Sequence, residues 1–230
     1  MKNLLTLVLC LATSQLLATT QAQNKNDTLG EKVFYFDRFQ QGTVYFLDGT
    51  ISRAMLNYNF VQQDMQILDH QNNNQILDLV RPQGLSHIQI GDDIFVPLDK
   101  GYAVVILDGP VALMRKRDII TSRAVTGVFG IPTETAATNR DVRFGSSAGD
   151  FQDVSAIHIS PSQYKYRVEQ TYFLMKNRKV YAATRRNFLG LYREIRPQLE
   201  QFIRENNVHF RNEDHLRGLT KYANSLLLAK

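Results

Sequence analysis

The sequence has little of the residues that carry most protein chemistry. Among its 230 residues there is one cysteine, Cys10, and there is no tryptophan. Cys10 lies in an apolar N-terminal stretch and follows Leu9, whereas a lipoprotein signal requires a small residue before its cysteine. Once that stretch is removed, the remaining chain can form neither disulfide bonds nor thiolate metal sites. We therefore expect a protein that is stabilised by its hydrophobic core.

Nucleotide-binding and metal-binding motifs are absent as well. The sequence contains no Walker loop and no GxGxxG fingerprint, so the local signs of nucleotide and dinucleotide binding are missing. No histidine stands at the HxH, HxxxH or HExxH spacing of a metal site; the histidines are His70, His87, His158, His209 and His215. The sequence therefore leans towards a protein that is not an enzyme, and it predicts no cofactor and no metal site.

A hydrolase with a dispersed active site is the alternative. Ser146 or Ser147 in a Gly/Ser-rich loop, His158 downstream and one of several aspartates could meet in the fold as a Ser/His/Asp triad. Most chains of this size allow such a combination to be drawn, so the spacing alone gives the alternative little support.

The N-terminus has the pattern of a cleavable secretory signal peptide, residues 1–22. Lys2 supplies the positive charge, Leu4 to Leu17 are largely apolar, and Thr20 and Ala22 are the small residues that precede a cut after Ala22. The apolar stretch is shorter than the ~20 residues that cross a bilayer as a stable helix. We therefore expect an exported protein that is periplasmic, associated with the outer membrane or secreted, without a transmembrane segment after cleavage.

Charge is divided unevenly along the chain, whose formal net charge is +5. Residues 24–160 carry 12 lysines and arginines against 16 acidic residues, whereas residues 161–230 carry 14 against 6. The basic C-terminal third could bind an anionic envelope component, an acidic protein partner or the acidic part of its own chain; nucleic acid is a poor match for an exported protein. Solvated faces of amphipathic helices would give the same pattern. The candidate binding residues are Arg115, Lys116, Arg117, Arg178, Lys179, Arg185 and Arg186.

Short β-type runs separated by turn residues dominate residues 23–120. Asp48-Gly49 and Asp108-Gly109 are tight-turn pairs between such runs, and Asp92-Asp93 after Gly91 is interpreted as a turn too. No helical period intervenes, which argues against a parallel βαβ sheet. We therefore predict an antiparallel β meander, sandwich or small barrel. The predicted strands are 43–47, 51–58, 65–68, 75–79, 87–90, 94–96, 102–107 and 111–115.

The residue pattern changes twice after residue 120. Residues 121–160 are rich in Ser, Thr, Ala and Gly and are predicted to be a loop segment, whereas residues 161–184 predict a further β-hairpin. Apolar residues then recur at helical spacing in residues 185–230, with Pro197 in a first turn and Asn212 as an N-cap. We therefore predict two or three short basic helices and a fold that is mainly β with an α-helical C-terminus (α+β).

Two stretches of the chain carry a shared pattern. Residues 42–59 contain GTVYFxDGT followed by LNYN, and residues 204–224 contain RENNVxF ahead of LxxLxxYxN. In both, the chain resembles an uncharacterised family of exported proteins of Bacteroidota. The resemblance implies a location in the envelope of a Gram-negative cell and supplies no activity. Its motifs look structural, since the amides of Asn57 and Asn59 are suited to fixing turns or strand ends.

The β-rich body, the charge division and the missing motifs favour one function. We expect an exported, non-enzymatic protein of the cell envelope with a binding or structural role. The alternatives are the hydrolase with a dispersed site near residues 146–158 and a binder of envelope lipid or polysaccharide that uses the basic C-terminal part.

Overall fold

The computed structural model describes residues 32–80, 82–126, 132–135, 154, 157 and 165–228. Within these ranges an antiparallel sheet of eleven strands is followed by three α-helices. The predicted fold class, mainly β with a helical C-terminus, is therefore confirmed. The predicted signal peptide lies outside the described residues.

The strands agree with the predicted ones to within a few residues, with one exception. Strand β8 runs on to Thr126, beyond the predicted end at residue 115 and into the segment that was expected to be a loop. Residues 132–135 of that segment form a further strand. The strands are β1 (Gln40–Phe46), β2 (Ile51–Asn59), β3 (Asp64–Asp69), β4 (Gln75–Asp78), β5 (Leu85–Ile90), β6 (Asp93–Pro97), β7 (Tyr102–Leu107), β8 (Ala112–Thr126), β9 (Pro132–Thr135), β10 (Lys165–Lys176) and β11 (Lys179–Ala182).

The sheet consists of two meanders joined side by side. Strands β1 to β4 form the first meander, and β5 then returns to pair with the free side of β1. The second meander runs from β5 through β8 to β10 and β11, so that the spatial order is β4-β3-β2-β1-β5-β6-β7-β8-β10-β11. Strand β9 pairs with the last residues of β8. The predicted hairpin of residues 161–184 is confirmed as β10 and β11.

The first core lies where the sheet bends back on itself. The connection after β2 meets β8, because Ile119 N donates to Phe60 O over 3.1 Å. The guanidinium carbon of Arg117 lies 4.6 Å from the centroid of the Phe60 ring. A segment before β1 covers the same core and places Val33 O against Phe60 N at 2.8 Å. The fully buried side chains of this core include Phe39, Leu56, Tyr58, Met65, Ile88, Ile90 and Phe95.

The three helices form a second core against β7, β8 and β10. They are α1 (Arg185–Leu191), α2 (Arg196–Glu205) and α3 (Glu213–Leu228), and a 3₁₀ turn at Arg193–Ile195 joins the first two. The predicted N-cap is confirmed, since His215 N donates to Asn212 Oδ1 over 3.0 Å. Apolar and aromatic residues of the helical segment are buried against the sheet: Phe188, Leu189, Tyr192, Ile195, Leu199, Leu216 and Leu219.

Two asparagines of the LNYN motif fix the end of β2. The side chain of Asn57 accepts from Phe36 N at 3.0 Å and donates to Phe36 O at 2.8 Å, which ties the segment before β1 to the sheet. Asn59 Oδ1 accepts from Val61 N and Gln62 N, both at 3.0 Å, and shapes the turn that follows. The predicted structural role of these amides is therefore confirmed.

A third asparagine fastens α3 to the sheet. Asn224 Oδ1 accepts from Val111 N at 3.3 Å, and its Nδ2 donates to Val111 O at 2.9 Å. Tyr192 Oη donates to the same Oδ1 over 2.9 Å. Gly109 gives the amide room, because a Cβ built there would lie 2.5 Å from Asn224 Nδ2. The last residue of the LxxLxxYxN motif, Asn224, therefore connects α3 to the turn between β7 and β8.

Candidate functional site

The three predicted binding residues of β8 are held by other parts of the chain. Arg115 Nη1 lies 2.9 Å from Glu213 Oε2 on α3. Lys116 is only 8% exposed and forms a buried ion pair with Asp118. The Arg117 guanidinium stacks on Phe60. The three residues lie in mid-strand and contact Glu213, Asp118 and Phe60, so they do not form part of the concave site described below.

The acid of the buried ion pair on β8, Asp118, has a shifted pKa. Burial raises the pKa of the Asp118 carboxyl, although the hydrogen bond and positive charge of Lys116 act in the opposite direction. Gln63 Oε1 accepts a further hydrogen bond from Lys116 Nζ at 3.3 Å, which links β8 to the turn after β2. With exposures of 8% and 9%, Lys116 and Asp118 do not face a ligand. We assign them a structural role.

Arg178 and Lys179 lie at the tip of the β10–β11 hairpin. Both are exposed, and Arg178 has a positive φ of 62°, as the turn requires. Lys176, one residue before the tip, donates to Leu191 O over 3.1 Å and so connects the hairpin to the end of α1. The tip is a projecting turn. Its positive charges could attract a ligand, but the turn has no concave surface to hold one.

Arg185 and Arg186, the last two candidates, line an open cleft of about 990 Å³ on the outer side of α1 and the start of α2. Two further arginines join them there, and all four side chains are exposed. The four arginines and one glutamate give the lining a formal charge of +3. The lining consists of Arg185, Arg186, Asn187, Leu189, Gly190, Arg193, Arg196 and Glu200.

The cleft exists because α1 is short and firmly seated. Thr184 Oγ1 accepts from Asn187 N at 3.3 Å and fixes the first turn of α1. Phe188 and Leu189 are buried against the second core, so the rest of the helix circumference faces outwards. At Tyr192 the chain leaves the α-helix and turns through the 3₁₀ segment into α2. The change of direction sets the arginines of the two helices around one concavity.

Among the described residues, most of the positive charge in the cleft has no counter-charge. Arg196 Nε pairs with Glu200 Oε1 at 3.0 Å. In contrast, no carboxylate of the described residues lies within ion-pair distance of Arg185, Arg186 or Arg193. Three guanidinium groups are therefore left to interact with solvent or with a ligand.

Gly190 also lines the cleft. It is the penultimate residue of α1, and glycine has a lower helix propensity than alanine. A Cβ built on Gly190 would meet no heavy atom of another part of the chain within 4 Å, so packing does not require the glycine. Gly218, on the exposed side of α3, has equally open surroundings but does not line the cleft. The two glycines therefore make a matched pair for experiments.

The chemistry that the cleft offers is the binding of an oxyanion. Guanidinium groups present planar pairs of N–H donors that match the oxygens of carboxylate, sulfate and phosphate groups. The described residues of the lining include no serine, threonine, cysteine, histidine or lysine, and their one carboxylate, Glu200, is engaged by Arg196. This arrangement can hold an anion.

The sequence identified only half of these arginines. Arg185 and Arg186 stood out because they are adjacent, whereas Arg193 and Arg196 are separated in sequence and join them only through the turn at Tyr192. Helical spacing in the sequence could not have found them, because α1 ends at Leu191 and Arg193 belongs to the 3₁₀ turn that follows.

The hydrolase alternative falls on residues that the structure does not describe. Ser146, Ser147 and His158 all lie outside the described ranges. Gly145 to Gly149, Gly-Ser-Ser-Ala-Gly, has the spacing of a GxSxG motif with Ser147 at its centre, and it also lies outside them.

Two further observations concern metal sites and membrane-spanning helices. In the described part of the chain, no group of three or more His, Cys, Asp or Glu side chains is arranged to hold a metal ion. The helices found there are each too short or too polar to cross a membrane.

Comparison of the chain with protein-family models, with curated proteins and with solved structures finds no match in any of the three.

Proposed function

We propose that this chain is an exported, non-enzymatic binding protein of the cell envelope whose arginine-lined cleft holds an anionic ligand. One observation carries the proposal: Arg185, Arg186 and Arg193 surround one concave surface and have no carboxylate partner among the described residues. The signal-peptide pattern of the N-terminus and the resemblance to exported proteins support the envelope location.

The energetics favour a ligand at this place. Two like charges about 7 Å apart repel by roughly 0.6 kcal/mol even in water, so a cluster of unpaired arginines adds nothing to the stability of the fold. An ion pair between an exposed guanidinium and an anion contributes about 0–1 kcal/mol. A bound anion would therefore replace repulsion with several favourable contacts at once.

A solvated helix face does not account for the cleft equally well. The exposed Arg204, Arg211 and Lys221 have the properties of such a face, since they are scattered over α2, α3 and the turn between them and do not line the cleft. In the cleft, by contrast, four arginines line one concavity together with Gly190, a residue of low helix propensity. A ligand that needs space beside the arginines explains both features.

The proposal is tested by thermal unfolding of the mature chain in millimolar sulfate, citrate or pyrophosphate, with sodium chloride of equal ionic strength as reference. Stabilisation should saturate at low concentration, because a ligand that binds only the folded state raises the unfolding temperature. The double variant Arg186→Glu, Arg193→Glu should lose this stabilisation.

The control is the double variant Arg178→Glu, Lys179→Glu, which changes the net charge by the same amount outside the cleft. It should keep the saturable stabilisation. If both double variants lost it equally, or if no anion stabilised the wild-type chain beyond sodium chloride, the proposal would be wrong.

A further inference from the structure

The composition of the cleft narrows the class of its ligand, on the premise that the cleft binds an anion as proposed above. Every cation in the lining is an arginine. The neighbouring lysines are used elsewhere: Lys176 donates to Leu191 O, and Lys179 lies at the hairpin tip. An ammonium group attracts any anion as a point charge, whereas a guanidinium selects oxyanions that accept two parallel hydrogen bonds.

The charge of the lining indicates more than one anionic group. After Arg196 is paired with Glu200, three positive charges remain. A single carboxylate or sulfate ester carries one negative charge and would leave the cleft positive. A phosphate monoester carries about −1.5 to −2 at pH 7, so two phosphoryl groups together balance the three arginines.

The placement of the donors favours phosphoryl oxygens over carboxylate oxygens. Arg185 and Arg186 are neighbours on α1 and diverge by about 100° around its axis, while Arg193 approaches from beyond the turn at Tyr192. A carboxylate presents two oxygens whose lone pairs lie in one plane, so its donors must approach close to that plane. A terminal phosphoryl group presents three oxygens around a tetrahedral centre, so that donors can reach it from several directions.

The size of the cleft agrees with a ligand larger than a single ion. Its volume of about 990 Å³ greatly exceeds the ~30 Å³ that one water molecule occupies in the liquid. Leu189 and the aliphatic stems of the arginines give part of the lining an apolar character that suits a carbon skeleton. We infer that the arginine-lined cleft binds a compound that carries at least two phosphoryl groups, either a diphosphate or an organic bisphosphate.

The class of ligand is tested by isothermal titration calorimetry with pyrophosphate, citrate and inorganic phosphate at pH 7.5 and low salt. Citrate has a multiple negative charge similar to that of pyrophosphate but has only carboxylate oxygens. We expect pyrophosphate to bind at least tenfold more tightly than citrate or phosphate. Equal affinity for citrate and pyrophosphate would overturn this inference while leaving the proposed anion-binding function intact, and binding of none of them would overturn both.

A conservative variant tests whether the paired N–H donors of the guanidinium group are needed. Arg193→Lys keeps the charge and removes the paired donors, so it should weaken pyrophosphate binding at least fivefold and citrate binding much less. Arg204→Lys, on α2 outside the cleft, should leave both affinities unchanged. An Arg193→Lys variant with wild-type affinity for pyrophosphate would contradict the phosphoryl assignment.

A vesicle experiment distinguishes the two sources of such a ligand. Phosphatidylcholine vesicles with and without diacylglycerol pyrophosphate differ in whether the membrane presents a diphosphate headgroup. Pyrophosphate-competed binding to the vesicles that contain diacylglycerol pyrophosphate would support a lipid headgroup. Tight pyrophosphate binding without vesicle binding would support a free phosphorylated compound.

Discussion

Single buried amides determine where the helices meet the sheet. Asn224 is 7% exposed and bonds at once to the backbone of Val111 and to the hydroxyl of Tyr192. An asparagine can fill this place because its side chain carries a donor and an acceptor, which match the N–H and C=O of one residue. Leucine would fit the surrounding core but would leave three polar groups buried without partners.

We predict that Asn224→Ala lowers the free energy of unfolding by about 3 kcal/mol, because buried polar groups that lose their partners cost about 1–3 kcal/mol each. Urea unfolding monitored by circular dichroism measures this change. Ser225→Ala is the control, since Ser225 is exposed and bonds only to the helix backbone at Tyr222 O. The control should change stability by less than about 0.5 kcal/mol. Equal effects of the two variants would contradict the assigned role of Asn224.

Strand β8 shows where the sequence pattern misleads about an element. The charged residues from Arg115 to Asp118 indicated a strand end, yet β8 continues through them to Thr126. Charged residues can lie in mid-strand here because other elements neutralise them, as Glu213 of α3 does for Arg115. Such partners are distant in sequence, and for this reason local periodicity could not predict them. Strands without this complication, such as β7, were predicted at their observed bounds.

Helix α3 is held to the sheet by an acid between two arginines. Glu213 Oε2 lies 2.9 Å from Arg115 Nη1, and its Oε1 lies 2.9 Å from Arg217 Nε. Burial raises the pKa of Glu213, but the hydrogen bonds and charges of Arg217 and Arg115 outweigh this effect, so that the pKa lies below its ordinary value. The ionised form of Glu213 therefore stabilises the folded chain.

The pH dependence follows from the direction of that shift. The contribution of Glu213 is fully present above the unfolded-state pKa of about 4.3, and it is lost as the pH falls from there through the lower folded-state pKa. We predict that Glu213→Gln destabilises the chain at pH 7 and that its difference from wild type shrinks at pH 3.5. Urea unfolding at the two pH values measures both differences. The exposed neighbour Asp214, varied to Asn, should show a much smaller difference at pH 7; a constant penalty for Glu213→Gln at both pH values would refute the argument.

At the scale of the whole molecule, the sequence predicted elements better than their assembly. Hydrophobic periodicity and turn residues suffice for most strands and for all three helices, because these signals are local. The return of β5 to the free side of β1 joins residues more than forty positions apart, such as Val44 and Ile88. Long-range pairing of this kind depends on the packing of the complete core, which local patterns do not contain.

The candidate site shows the same limit. The basic C-terminal third was evident from composition, and two of the predicted binding residues, Arg185 and Arg186, line the cleft. Concavity is a property of two helices and the turn between them, so the contributions of Arg193, Arg196 and Gly190 emerged only from the structure. The other five predicted binding residues contact internal partners or lie at the tip of the β10–β11 hairpin.

The central claim is that the cleft, and not the general positive charge of the helices, binds the anion. The measurement that tests it most directly is the pyrophosphate affinity of Gly190→Leu compared with that of Gly218→Leu. Both substitutions leave the charge unchanged and replace an exposed helical glycine with a good helix former, so both variants should fold. We predict that Gly190→Leu, which adds a branched apolar side chain to the cleft lining, weakens binding at least tenfold, while Gly218→Leu binds like wild type. Equal and undiminished affinity of the two variants would contradict the account.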